Sequence, residues 1–145
     1  AIDRCRVGQP YTAPHDAARR VLAEGIIRLG ITDQTVEDAL DMESGDLRKW
    51  YMHNTSHWIG LDVHDVGIYK PNGEPRLLEA GMCLTVEPGL YFGAWRPDVN
   101  CPERYANIGI RIEDDVLVTS GEPDVLTSAC PKSIEDIESI TGTAF

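Results

Sequence analysis

Met82-Cys-Leu-Thr-Val-Glu87 and Ile108-Gly-Ile-Arg-Ile-Glu113 share one pattern: aliphatic side chains at every second position, and a glutamate closing the run. Side chains alternate across a strand, so a period of two predicts two strands. Met82, Leu84 and Val86 fall on one face of the first, and Ile108, Ile110 and Ile112 on one face of the second. Glu87 lies opposite the first aliphatic face. Glu113 lies opposite the second, on the side of Arg111. Pro88 and Gly89 end the first strand, and Val116, Leu117 and Val118 prolong the extended signal after the second. If the strands pair, both carboxylates converge on one cavity.

Helical spacing flanks these strands. Ala18, Val21, Leu22, Ile26 and Leu29 recur at three- and four-residue intervals, predicting a helix from Pro14 to Leu29 with Gly30 as its stop. Val36, Ala39 and Leu40 suggest a second helix from Asp33 to Met42. Ser133 and Asp136 open a third, from Ser133 to Ile140, with Ile134, Ile137 and Ile140 on one stripe. Pro71-Asn-Gly-Glu-Pro75 is a loop, and the stretch from Gly93 to Glu103 is irregular. Helices at both ends of a β-rich middle predict an α+β layer, helices packed on a mostly antiparallel sheet. The helices from Pro14 and from Ser133 are expected to cover the aliphatic face.

The chain has 145 residues, the size of one domain. Its 24 acidic residues outnumber 13 basic ones, for a net charge of -11. An acidic surface repels phosphate backbones and anionic lipid, so neither nucleic acid nor membrane is an expected partner. No apolar run reaches the ~20 residues of a membrane span. Cys5, Cys83, Cys101 and Cys130 form no C-x-x-C pair, which argues against a disulfide framework or thiolate zinc site and for a reduced, cytoplasmic setting.

His53, His57 and His64 lie within twelve residues of one another, beside Gly60, Asp62 and Asp65. No H-E-x-x-H occurs, which excludes the common zinc-helix motif. Carboxylates and imidazole together suit divalent manganese, cobalt or zinc. The competing reading takes the glutamates as solvent-facing charges of an amphipathic sheet.

The stretch His53-Asn-Thr-Ser-His-Trp-Ile-Gly-Leu-Asp-Val-His-Asp-Val-Gly67 resembles the histidine signature of the aminopeptidase P family. Leu84-Thr-Val-Glu-Pro-Gly-Leu-Tyr91 and Asn107-Ile-Gly-Ile-Arg-Ile-Glu-Asp-Asp115 resemble its two glutamate segments, in the same order. The resemblance implies the second half of a pita-bread fold, in which two pseudo-symmetric halves close over a dinuclear metal site. It implies hydrolysis of the bond between an N-terminal residue and a following proline. His57 and Glu87 then resemble ligands of one metal, and Glu113 the carboxylate shared by both. Glu87 also resembles the general base. His53 and His64 resemble substrate-contacting histidines, and Arg111 an arginine near the site. The metals implied are two divalent ions, manganese first, with cobalt or zinc as alternatives. Trp58 favours aminopeptidase P over the related dipeptidase, prolidase.

Two departures stand out. Asn54 occupies a position that is usually glycine in the family; asparagine tolerates a left-handed backbone, so little damage is expected. The family also takes two aspartate ligands from its first half, and Asp3 and Asp16 lie in the wrong context to replace them. The expected partners are therefore a peptide with proline second and a first half, in the same polypeptide or a separate chain, with a homo-oligomer as a further form. The rival class is a pita-bread binding module that has lost catalysis.

Overall fold

A computed structural model describes residues 1–93 and 99–142. Residues 94–98 of the expected irregular stretch lie outside that description. Helix α1 (Ala13–Arg28) begins with Pro14 in its first turn, where a missing N–H costs nothing. It buries Ala23 and Ile26 against α2 (Val36–Leu40) and α3 (Leu47–Trp50), and Ala18 is buried on the same helix. Thr35 caps α2 by accepting the Asp38 N–H, so that helix starts later than its apolar spacing suggests, and the non-helical backbone of Asp41 (ψ 135°) ends it sooner. Trp50, Tyr51 and Phe92 complete this first core cluster.

Strand β1 (Cys83–Val86) pairs antiparallel with β4 (Asp114–Leu117), which in turn pairs with β5 (Asp124–Val125). Strand β2 (Gly89–Phe92) pairs antiparallel with β3 (Ile108–Arg111). The two strands read from alternation are thus not partners. Each continues through its glutamate into a further strand, and the pair forms one kinked ribbon. Leu84, Val86, Val116 and Val118 bury one side of it in a second core cluster with Cys5, Trp58 and Leu78. The antiparallel pairing and the mixture of helix and sheet agree with the expected α+β class.

The aliphatic face is covered only in part. Ile108, Ile110 and Ile112 are 44, 60 and 48% exposed, beside Leu22, Leu90 and Tyr105 in an apolar groove. Helix α4 (Ile134–Ile140) forms behind its Ser133 cap, but Ile134, Ile137 and Ile140 remain 72, 42 and 48% exposed. The expectation that this helix would cover the isoleucines is corrected: amphipathic spacing predicts a helix, while burial depends on what lies opposite it.

Candidate metal centre

The pairing register explains why the two glutamates meet. Val86 faces Asp114 in one ladder and Gly89 faces Arg111 in the other, so Glu87-Pro88 and Ile112-Glu113 lie across from each other at the break. Pro88 lacks an N–H, but its carbonyl still accepts from Ile112 N at 3.3 Å. On the other edge of β1, Thr85 N donates to His57 O at 3.0 Å and Glu87 N to Thr55 O at 2.8 Å. That brings the histidine segment alongside the carboxylates.

Donor atoms of His57, Glu87 and Glu113 all lie within 4.8 Å of one another. Glu87 is buried, His57 half-buried and Glu113 exposed. His57 Nδ1 is 2.9 Å from the Trp58 carbonyl, a contact that places a proton on Nδ1 and leaves the Nε2 lone pair outward. That lone pair faces Glu87 Oε1 at 3.3 Å. Two electron-rich atoms so placed call for a cation or a proton between them. An imidazole tied back to a carbonyl through its other nitrogen is the usual posture of a metal-ligating histidine. The residues therefore fit a divalent cation held by nitrogen and carboxylate oxygen.

Arg111 ties this cluster to a second one. Its Nη1 reaches Glu87 Oε2 at 3.2 Å, its Nε donates to Tyr91 OH at 2.6 Å, and its Nη2 lies 3.3 Å from His53 Nε2. The hydrogen bond to Tyr91 holds the guanidinium more firmly protonated than usual. Tyr91 OH is 2.8 Å from His53 Nε2, and His53 Nδ1 is 2.7 Å from the Asn54 carbonyl. These contacts give one consistent assignment: Nδ1–H donates to the carbonyl, and Nε2 accepts from the tyrosine. His64 stands edge-on to His57 with ring centroids 4.4 Å apart, and is exposed. Asn54 is not among the residues with positive φ, so the left-handed allowance is unused.

Residues 1–120 match the model of metallopeptidase family M24. The chain belongs to this family. The Xaa-Pro aminopeptidase of Haemophilus influenzae is 41% identical over 140 residues, 97% of this chain and 31% of that protein. The Xaa-Pro aminopeptidase of Escherichia coli is 45% identical over 121 residues, 83% of this chain and 26% of that protein. The structure of Pseudomonas aeruginosa aminopeptidase PepP superposes with a TM-score of 0.87 at 40% identity, covering 95% of this chain and 30% of that one. Zinc-substituted Escherichia coli aminopeptidase P in complex with product matches with a TM-score of 0.80 at 42% identity, covering 92% and 29%. The chain thus has the fold of these aminopeptidases over a partial domain, and spans about a third or less of their length.

Within this M24 fold, three side chains near the cluster escaped the pattern reading. Tyr91 sits in the glutamate segment, and Gly89 makes room for it: a Cβ there would lie 2.5 Å from the Tyr91 hydroxyl. Thr85 is buried beside Glu87. His15, on α1, is 2.9 Å from Thr55 Oγ1, whose backbone carbonyl holds Glu87 N. Beside them a cavity of about 600 Å³ is lined by Tyr11, His15, Ser56, His57 and Tyr69 among others. The buried Ser56 hydroxyl there has no hydrogen-bond partner among the described residues.

Burial holds the His15 imidazole below its ordinary titration range, and Arg19 and His53 push the same way while Asp16 opposes them. The unfolded chain therefore takes up this proton first. The associated stability is complete above the unfolded pKa of 6.5 and is lost as pH falls through the lower folded value. We expect the urea midpoint to fall between about pH 7.5 and about pH 5.5, and to fall less in His15→Asn. Equal slopes in the two proteins would contradict this assignment.

Proposed function

We propose that residues 1–145 form the second half of a pita-bread catalytic domain, and that the complete domain removes the N-terminal residue from peptides with proline at the second position. The observation that carries this reading is the convergence of His57, Glu87 and Glu113 within 4.8 Å, in a chain about 40% identical to Xaa-Pro aminopeptidases. His57 and Glu87 hold one cation and Glu113 is shared with a second. Manganese is the preferred ion, with cobalt and zinc as alternatives. Bound there, the pair would polarise the scissile carbonyl and supply a nucleophilic water near neutral pH.

The chain's own residues do the rest. Glu87 accepts the proton of the attacking water. Arg111 holds Glu87 and Tyr91 in place and offsets part of the carboxylate charge. His53 and His64 face the substrate. The His64 ring donates to the developing oxyanion, a contribution worth several kcal/mol when preorganised. Two further carboxylates come from the first half, in the same polypeptide or another chain. A cytoplasmic, reducing setting suits the four free cysteines. Among the described residues no helix is long and apolar enough to cross a membrane.

The test is peptide cleavage by the complete domain with manganese. Release of the first residue from an Xaa-Pro-Yaa tripeptide, with little action on the dipeptide Xaa-Pro, is the expected result. Preference for the dipeptide would assign a prolidase instead, and no cleavage of either a binding module. The open isoleucine face adds an expectation for the chain alone. Exposed apolar surface and strand edges invite association, so light scattering is expected to find oligomers or a complex with a first half. A well-behaved 16.0 kDa monomer that binds no first half would contradict that expectation.

A further inference from the structure

We propose that the Thr85 hydroxyl is a positioning group for the metal centre, locking the two buried-side ligands, His57 and Glu87, into one unit. The inference rests on the metal-site reading above. Thr85 lies on β1 two residues before Glu87, so both side chains leave the same face of the strand. Its position is closed to water, with 1% of the residue exposed. Two bonds join it to the histidine: Thr85 N donates to His57 O at 3.0 Å, and His57 N donates to Thr85 Oγ1 at 3.0 Å. A side-chain oxygen thus receives the His57 amide. An oxygen that accepts from an N–H must turn its own proton elsewhere, and the recipient is Glu87 Oε1 at 3.0 Å.

The consequence is directional. Glu87 Oε1 accepts from Thr85 on one side and presents its remaining lone pair toward His57 Nε2 at 3.3 Å. Glu87 Oε2 is held independently by Arg111 Nη1 at 3.2 Å. One hydroxyl therefore sets the backbone position of the imidazole ligand and the rotation of the carboxylate ligand together. Removing it leaves the His57 N–H without its Thr85 acceptor and frees the carboxylate to turn. Partners of this kind around metal ligands typically contribute 10–100-fold in affinity.

The experiment is titration of this chain with cobalt(II), followed by calorimetry and by the visible absorption of the bound ion. Thr85→Val keeps the side-chain shape and removes the hydroxyl; it is expected to bind cobalt 10–100-fold more weakly, with an altered spectrum. Thr85→Ser keeps the hydroxyl and is expected to bind within about threefold of the parent. Val118→Ala removes buried core volume away from the ligands, and is expected to lower the unfolding midpoint while leaving affinity and spectrum unchanged. A folded Thr85→Val with parental affinity overturns the proposal alone. Cobalt that fails to bind the parent chain overturns the metal reading with it. If Thr85→Val does not fold, Thr85→Ala takes its place. If neither folds, Thr85→Ser decides: a tenfold loss in that variant counts against the hydroxyl, and retained affinity supports it.

Discussion

Glu113→Gln in the completed domain is expected to lower the rate of Xaa-Pro peptide hydrolysis by roughly 10³-fold or more, and Glu87→Gln by a similar factor, as for loss of a key electrostatic group. Glutamine matches glutamate in shape, so the folded core is spared; the change is one of charge. Glu87 is buried against His57, Thr85 and Arg111, and a neutral amide there takes away the carboxylate charge that Arg111 meets at 3.2 Å. On the proposed reading it also removes the proton acceptor for the attacking water. Glu113 is exposed in this chain, so its replacement costs little stability, and its effect is expected in turnover and metal content. Steady-state kinetics with metal analysis separates the two. Near-normal hydrolysis by Glu113→Gln would remove that residue from the shared-ligand role.

The chain without a first half is expected to bind a single manganese weakly and to show no turnover. The cluster offers one imidazole and two carboxylates, enough for one cation. A bridged pair needs further carboxylates. With Glu113 open to water the electrostatics are also weaker than in a closed cavity, where a lower dielectric strengthens each interaction. Calorimetric titration with manganese checks the count, and mixing with a first-half polypeptide is expected to restore both a second site and cleavage. Two tight sites on the chain alone would refute the ligand count.

Much of the centre was legible because its signals are local. Alternation put Glu87 and Glu113 opposite their aliphatic faces, and the spacing of His53, His57 and His64 marked a cluster. The kink was not legible. Pro88-Gly89 reads as the end of a strand, yet the chain runs on into β2, because a carbonyl-only residue can still be held from across the ribbon. Nor was the division of labour among the histidines. His53 meets Tyr91 across 38 positions of sequence and His15 meets Thr55 across 40, and no periodicity reports contacts at that range. The amphipathic stripe of α4 likewise foretold a helix without saying what it would cover.

The central claim is that His57, Glu87 and Glu113 together hold a divalent cation. Anomalous diffraction at the manganese edge, from crystals of the chain grown with manganese, tests it most directly. The account predicts an anomalous peak within coordination distance of His57 Nε2 and carboxylate oxygens of Glu87 and Glu113. An empty cluster at saturating manganese, or a peak held by other residues, would contradict it.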